Sequence, residues 1–309
     1  MAPYPPVAPE NGANFTSTIH SASYPFIQTA NHKHRNVLIT GGMNGIGRAI
    51  ALSFARAGAA VIGVADTVRN PQLQADIVVA AKQGGHAMPT VSLMQLDITD
   101  ELAVNAMALQ HAAHGDLDVL VNNAGFMTPA CPVPSSDADA WWRTFEVNLK
   151  GTYLMAKHFL PLLLSSGPGR LKTMININSV AAHNLRPMAS AYGTSKAAAL
   201  KLTEFLMVEA GGAGLLAYSV HPGAVRTELA EHGMPPETLA GLGDGVDLAG
   251  DTVCWLASER REWLAGRYIS ATWDMEELME REEEIVAGDK LKVRLVVGRQ
   301  EKQDEDLLL

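Results

Sequence analysis

Cysteine, long apolar runs and positive charge are all scarce in this sequence. The 309 residues include only two cysteines, Cys131 and Cys254, without a Cys-x-x-Cys spacing, so we expect neither a disulfide framework nor a zinc cluster. No run approaches the roughly 18 apolar residues of a membrane-spanning helix. The net charge of −9 argues against a nucleic-acid partner, because phosphates need a basic face.

Recognisable targeting signals are also lacking. Residues 1–15 contain no basic segment followed by an apolar one, which a secretory signal requires. The last four residues, Asp-Leu-Leu-Leu, differ from a peroxisomal signal. We therefore expect a cytoplasmic protein without membrane contact.

The composition that is present favours one large folded domain between two tails. Hydrophobic residues make up 47% of the chain and charged residues 18%, which is enough apolar material for an extensive core. Residues 1–34 are rich in Pro, Ser, Asn and His without periodicity, and we interpret them as an arm. Residues 35–272 form the predicted domain. Residues 273–309 form an acidic tail with a helical pattern.

Short apolar runs alternate with helical patterns from residue 36 onward. Such alternation is typical of a parallel sheet covered by helices on both faces. We therefore predict an α/β fold, a single doubly wound Rossmann-type domain with a parallel seven-stranded sheet. The predicted strands are 37–39, 61–65, 91–96, 119–121, 173–177, 216–220 and 268–269, and the longer predicted helices are 46–57, 71–83, 100–113, 138–164 and 191–210.

The acidic tail carries apolar residues on one helical face. Met275, Leu278, Met279, Ile285 and Val286 share this face, with glutamates at other positions. An amphipathic helix of this kind docks on its own subunit or a sister subunit more often than it recruits a separate partner. We favour docking.

The first predicted strand ends in a glycine-rich turn, Thr40-Gly41-Gly42-Met43-Asn44-Gly45-Ile46-Gly47. Glycines at this junction let the backbone approach a pyrophosphate, and the following helix N-terminus offers free N–H groups. The spacing differs from Gly-x-Gly-x-x-Gly. Glycine turns also serve purely as tight strand–helix corners, so the turn alone does not show that it binds a phosphate.

Polar residues stand at the ends of the next strands. Asp66 lies nineteen residues beyond Gly47, where a carboxylate can accept both hydroxyls of an adenosine ribose and repel a 2′-phosphate. This favours NAD(H), while nearby Arg69 leaves NADP(H) open, and the alternative role for Asp66 is a helix cap. Asp97 and Ile98 end the third strand.

A Tyr–Lys pair follows the fifth strand. Tyr192 and Lys196 are one helical turn apart, so they share a helix face. A phenol has an ordinary pKa of about 10, and a nearby cation lowers it. We therefore expect a lowered pKa for Tyr192, which would make it usable as a general acid or base. Ser179 lies thirteen residues before Tyr192, and Asn148 lies further upstream.

Together these motifs resemble those of the short-chain dehydrogenase/reductase family over residues 36–272. The matching features are Thr-Gly-x-x-x-Gly-x-Gly, Asn-Asn-Ala-Gly at 122–125, and the ordered set Asn148, Ser179, Tyr192 and Lys196. The resemblance implies an oxidoreductase that transfers a hydride between nicotinamide and a secondary alcohol or ketone. In it Tyr192 is the acid/base, Ser179 polarises the substrate oxygen, Lys196 also binds the nicotinamide ribose, and Asn148 bends a helix and holds a proton-relaying water.

The resemblance also assigns the cofactor site. It places Asn123 beside the adenosine and Asp97 near the adenine edge, and it assigns the carboxamide to the segment after the sixth strand. We interpret His221 in that segment as structural. The complete set of expected cofactor residues is Gly41, Asn44, Gly45, Ile46, Gly47, Asp66, Asp97, Ile98, Asn123, Gly125, Tyr192, Lys196, Pro222, Val225 and Thr227.

The expected substrate is a neutral or apolar molecule of medium size. The expected substrate loop, residues 228–247, contains Met, Leu, Pro and Gly but no Lys or Arg. Residues 23–27 and 266–274 resemble a branch of the family common in filamentous fungi, which implies a secondary metabolite.

Alternative functions are kept open by the sequence. A non-redox lyase or isomerase could use the same tyrosine, and a dinucleotide-binding regulator could keep the fold without catalysis.

His111 and His114 are spaced like metal ligands, but no further ligands complete a site, so we expect no metal. The apolar helices 149–164 and 191–210 favour a homodimer or homotetramer.

Overall fold

A single parallel sheet organises the part of the chain that the computed structural model describes, which is residues 12–295 without the side chains of residues 113 and 114. The strand order is 3-2-1-4-5-6-7, and all six pairings are parallel. The predicted doubly wound α/β sheet is confirmed. The strands are β1 (Asn36–Thr40), β2 (Val61–Asp66), β3 (Thr90–Gln95), β4 (Val119–Asn122), β5 (Thr173–Ile177), β6 (Leu216–His221) and β7 (Tyr268–Ser270).

Helices cover both faces of the sheet because its strands are apolar on both sides. Along β1 and β4, Leu38 and Leu120 enter one apolar cluster, whereas Ile39 and Val121 enter another. This is the expected pattern for central parallel strands. The helices are α1 (Gly45–Arg56), α2 (Leu73–Gln83), α3 (Glu101–His114), α4 (Ala138–Phe145), α5 (Thr152–Ser165), α6 (Ser190–Ala210), α7 (Glu228–Gly233), α8 (Pro236–Leu239), α9 (Val246–Ser258), α10 (Met275–Glu280) and α11 (Glu282–Ala287).

The helical stretch predicted over 138–164 is confirmed, but its middle, Glu146–Gly151, is a π-helix that lies between α4 and α5. Asn148 is buried in the middle of this π-helix, and its backbone carbonyl accepts a hydrogen bond from Thr152 Oγ1 at 2.9 Å. A π-helix changes the direction in which the following side chains project. The π-helix therefore sets the position of a candidate site residue.

The described part of the predicted arm packs on the domain. Residues Pro25–Thr29 form a 3₁₀-helix whose Ile27 enters the core. The His32 ring is buried, and its Nε2 lies 2.9 Å from the carbonyl oxygen of Cys254 on α9. Ile19 forms an antiparallel bridge with Trp273. These residues are therefore part of the folded core.

The tail forms two short helices, α10 and α11, where one was predicted. Met275, Leu278 and Ile285 are buried in the core, so the described part of the tail docks on its own subunit, although Val286 is exposed. The Glu277 carboxylate accepts hydrogen bonds from the backbone N–H groups of residues 17 and 18. Arm and tail thus pack on each other as well as on the domain.

No helix within residues 12–295 is both long enough and apolar enough to cross a membrane.

Candidate active site

A groove lies at the carboxyl ends of the central strands, where ligands bind in open parallel sheets. Its walls come from β1, β2, the residues after β3 and β4, and α4. The predicted strand-end residues are thus brought together, because these strands are neighbours in the sheet. Five predicted cofactor residues line the groove: Gly41, Asp66, Asp97, Ile98 and Gly125.

The glycine turn has the shape of a phosphate cradle. Gly41 and Gly45 adopt left-handed φ angles of +62° and +52°, which disfavour other residues. A Cβ at Gly47 would lie 2.2 Å from the Gly41 carbonyl oxygen, so this approach needs glycine. Asn44 precedes α1 without a side-chain cap, which leaves the N–H groups of its first turn for an anion. These features fit a dinucleotide pyrophosphate.

Asn123 holds this turn closed. Its Nδ2 donates to the carbonyl oxygens of Gly41 at 2.7 Å and Thr40 at 3.0 Å. The Thr40 hydroxyl oxygen in turn accepts from the backbone N–H groups of Asn123 and Ala124, both at 3.1 Å. The side chain of Asn123 thus braces the glycine turn, and contact with an adenosine stays a prediction.

Asp66 stands at the end of β2 beside the same turn. Its Oδ2 accepts a hydrogen bond from the Met43 N–H at 3.0 Å. The helix-cap alternative is wrong, because α2 begins seven residues later and its N-cap is Gln72. Exposed Arg69 is engaged with Gln95, through Nε and Oε1 at 3.2 Å. A carboxylate therefore faces the groove next to the phosphate cradle.

Asp97 follows β3 and is held by two neighbours. Its Oδ1 accepts from the N–H and hydroxyl of Thr99, both at 2.8 Å, and its Oδ2 accepts from Arg143 Nη2 at 3.2 Å. Partial burial opposes ionisation, but these hydrogen bonds hold the pKa of Asp97 below its ordinary value. Asp97 is therefore a fixed, ionised acceptor in the groove.

Ser179, Tyr192 and Lys196 come together between β5 and α6. Ser179 hydrogen-bonds the Tyr192 phenol. Lys196 Nζ lies 5.6 Å from the centre of the Tyr192 ring and donates to the Ile177 carbonyl oxygen at 2.9 Å. The helical spacing predicted the Tyr–Lys proximity, and the end of β5 brings the serine to the same point.

The expected low pKa of Tyr192 is wrong for the structure as it stands. Burial raises the pKa of Tyr192 to about 12, and the hydrogen bond from Ser179 only partly opposes this. Burial also lowers the pKa of Lys196 to about 8. Both groups are thus shifted toward their neutral forms, because burial penalises the charged form of each.

Asn148 joins the loop after β4 to α6. Its Oδ1 accepts from the Phe126 N–H at 2.8 Å, and its Nδ2 donates to the Phe126 carbonyl and Ser195 Oγ, both at 2.9 Å. Ser195 is adjacent to Lys196 in sequence. The Asn148 side chain therefore braces α6, and the water-holding role stays a prediction.

The segment after β6 reaches back to the glycine turn through Thr227. Thr227 caps α7, and its methyl group lies 3.6 Å from the position a Cβ would take at Gly45. Val225 is buried two residues earlier, in the segment that Pro222 begins. Burial lowers the pKa of His221 to about 3, so the imidazole is neutral at physiological pH, in keeping with a structural role.

Comparison with known proteins decides the family. Residues 35–237 match the family described as short chain dehydrogenase. The chain belongs to the short-chain dehydrogenase family. It is 47% identical to Short chain dehydrogenase mpl6 of Monascus purpureus, over 94% of this chain and 99% of that protein. It is 41% identical to Short chain dehydrogenase pigC of Monascus ruber, over 91% of this chain and 93% of that protein.

The fold agrees with a solved family structure. A short-chain type dehydrogenase/reductase from Mycobacterium ulcerans superposes with a TM-score of 0.67 at 28% identity, over 78% of this chain and 89% of that chain. The present protein is thus an oxidoreductase with the Rossmann-type fold of this family.

The structure of this short-chain dehydrogenase adds two residues that the sequence did not single out. Asn178 Oδ1 accepts from the Ser179 N–H at 2.8 Å, and its Nδ2 donates to the Lys196 carbonyl at 3.2 Å. Its position directly before Ser179 was the available signal. Arg143 lines the groove from α4. Its only signal in the sequence was the i, i+3 spacing to Glu146, which is typical of an ion pair on a helix.

Metal binding finds no support in the described part of this dehydrogenase. Within it no three His, Cys, Asp or Glu side chains are grouped to hold an ion. The His114 side chain of the His-x-x-His pattern lies outside the described residues.

Proposed function

We propose that this dehydrogenase transfers a hydride between a nicotinamide dinucleotide and a secondary alcohol or ketone, with Tyr192 as general acid and base. The observation that carries the proposal is the Ser179–Tyr192–Lys196 group on the same sheet edge as the glycine cradle. Gly41, Asn44, Gly45, Ile46 and Gly47 would hold the pyrophosphate, and Asp66 the adenosine ribose. The bound nicotinamide supplies or accepts the hydride.

The protein's own part is proton transfer at the Tyr192 hydroxyl. Because burial raises the pKa of Tyr192 to about 12, the phenol keeps its proton at neutral pH and can give it to a developing alkoxide. The Ser179 hydroxyl, already bonded to the phenol, can donate to the same oxygen as its charge develops. In the reverse direction, a protonated Lys196 stabilises the phenolate that accepts the alcohol proton.

Hydride transfer is favoured over the two alternatives. A lyase or isomerase would need the tyrosine but not a nicotinamide site, whereas here a phosphate cradle accompanies it. A non-catalytic regulator would not need Ser179 and Lys196 around a buried phenol. The high identity to proteins named as dehydrogenases supports the same choice.

The proposed cofactor is NAD(H). A 2′-phosphate would approach the Asp66 carboxylate, and like-charge contact at a half-buried site costs on the order of 1–3 kcal/mol, or roughly tenfold or more in affinity. Arg69, three residues beyond Asp66, is engaged with Gln95. NADP(H) is accordingly the weaker ligand.

A panel assay tests this function and the cofactor choice together. We expect apolar secondary alcohols or ketones to change the absorbance of reduced nicotinamide, with tighter binding of NADH than of NADPH. Asp66→Ser should narrow that difference by about tenfold. Substrate conversion without net redox change would favour a lyase, and NADH binding without turnover of any compound would favour a regulator.

The proposed substrate is a neutral or apolar, medium-sized molecule of fungal secondary metabolism. The substrate loop closes on the loop after β4, because Ala130 N–H donates to the Gly233 carbonyl at 3.0 Å and Met127 packs against Gly233. Phe126 adds an aromatic ring near His232. The relatives come from fungi, which supports the metabolic setting. The cytoplasmic location stays a prediction.

We further propose a homodimer or homotetramer assembled through α5 and α6. Of the apolar residues on these helices, Leu154, Phe159 and Leu200 are buried in the core, while Phe205 is 54% and Val208 82% exposed. An apolar face left outside the core favours contact with a second copy. Light scattering should give at least twice the 33.0 kDa of one chain at micromolar concentration, and a mass of one chain would refute the assembly.

A further inference from the structure

Arg143 forms part of the groove wall beside the end of β3. Asp66, Thr67, Asp97 and Ile98 line the groove from the sheet, and Arg143 lines it from α4. The space between them lies at the adenosine side, because Asp66 marks the ribose position in the proposed cofactor site. A ligand there meets a guanidinium as well as carboxylates.

Three acceptors fix the guanidinium in one orientation. Nη2 donates to Asp97 Oδ2 at 3.2 Å, and Nη1 donates to Glu146 Oε2 at 3.0 Å and to Thr99 Oγ1 at 3.2 Å. The Arg143 side chain nevertheless stays 41% exposed. Because these N–H bonds lie in the guanidinium plane, they leave its flat faces free of hydrogen bonds.

We propose that Arg143 is a cofactor-binding residue that stacks its guanidinium on the adenine ring. The inference rests on the dinucleotide site of the proposed function and adds a residue to it. A fixed planar cation offers a face to a heteroaromatic ring, and the buried apolar side chain of Ile98 lines the same groove. Asp97, held by Arg143, can accept from the adenine amino group.

Arg143 is poorly suited to binding a 2′-phosphate instead. Its charge is already paired with two carboxylates, Asp97 and Glu146, whereas phosphate recognition uses a cation free to turn toward the anion. Arg143 therefore contributes equally to NADH and NADPH binding, and Asp66 alone sets their ratio. The ratio of NADH affinity to NADPH affinity therefore distinguishes the role of Asp66 from that of Arg143.

The test compares two variants of Arg143 by fluorescence titration with NADH and NADPH and by competition with AMP, which carries adenine without nicotinamide. Arg143→Met removes both the positive charge and the planar guanidinium group. Arg143→Lys keeps the charge and can keep the ion pairs that brace α4, but it lacks the plane. Lys82→Met removes one positive charge from an exposed position on α2 and serves as the control. Thermal unfolding checks the fold of each variant.

We expect both Arg143 variants to weaken the binding of NADH, NADPH and AMP by the same factor, roughly tenfold. Lys82→Met should bind all three ligands as the wild type does. Wild-type affinity in folded Arg143→Lys would overturn stacking, because charge alone would then suffice. Unchanged AMP affinity in both variants would overturn the adenine contact. If AMP binding depends on Arg143 but no alcohol or ketone is turned over, the inference stands and the proposed function fails.

Discussion

Tyr192→Phe is expected to lower kcat by about 10²–10⁴-fold, the usual loss for a positioned acid–base group. The ring keeps its place on α6, but the hydroxyl that bonds Ser179 is lost. NADH affinity should stay within about twofold, because the proposed dinucleotide contacts rest mainly on the glycine turn, Asp66 and Lys196. Steady-state kinetics and a fluorescence titration with NADH measure the two quantities.

A matched control is available on the preceding helix. Tyr153→Phe makes the same chemical change at an exposed position on α5 and should leave kcat unchanged. Ser179→Ala should lower kcat less than Tyr192→Phe, because it removes a donor to the substrate oxygen but leaves the proton source. More than a tenth of wild-type activity in folded Tyr192→Phe would place the acid–base group elsewhere and return the non-redox alternatives to consideration.

The sequence predicted those parts of the site that depend on local spacing. The i, i+4 interval placed Lys196 beside Tyr192, and strand ends placed Asp66 and Asp97 at one edge of the sheet. Both follow from the geometry of regular elements, which sequence periodicity reports directly. The parallel sheet followed in the same way from continuous apolar strands.

Features that depend on tertiary packing could not be predicted in this way. Burial raises the pKa of Tyr192, and spacing along α6 carries no information on that burial. Arg143 reaches Asp97 across 46 residues of sequence. The apolar pattern on both sides of Asn148 reads as one continuous helix and gave no sign of the π-helix there, and only the family resemblance indicated a bend at this residue.

The arm shows that composition alone does not predict whether a segment packs on the core. Its Pro- and Ser-rich texture indicated a segment outside the core, yet Ile27 is buried and Trp273 Nε1 donates to the Gly12 carbonyl at 2.8 Å. Its partners lie in α9 and in the tail, more than 200 residues away. The arm, which has no periodic pattern, is thus held in place by long-range contacts with α9 and the tail.

Gly47→Ala is the second substitution with a large expected effect, and it acts through the shape of the cofactor site. The added Cβ would lie 2.2 Å from the Gly41 carbonyl oxygen, 2.5 Å from Asn123 Nδ2 and 2.8 Å from Gly42 Cα. Two of these atoms belong to the backbone, and Asn123 is held by two hydrogen bonds, so α1 must move or the turn must open. Overpacking of this kind costs about 1–3 kcal/mol.

That cost falls on the phosphate cradle, so NADH affinity should drop roughly tenfold to hundredfold, since each 1.4 kcal/mol or so is a factor of ten. Gly212→Ala is the matched control, because a Cβ at Gly212 meets no atom within 4 Å. Fluorescence titration with NADH gives the affinities, and circular dichroism confirms that both variants fold. NADH binding by Gly47→Ala within twofold of the wild type would mean that the pyrophosphate lies away from the glycine turn, and the proposed cofactor site would then be wrong.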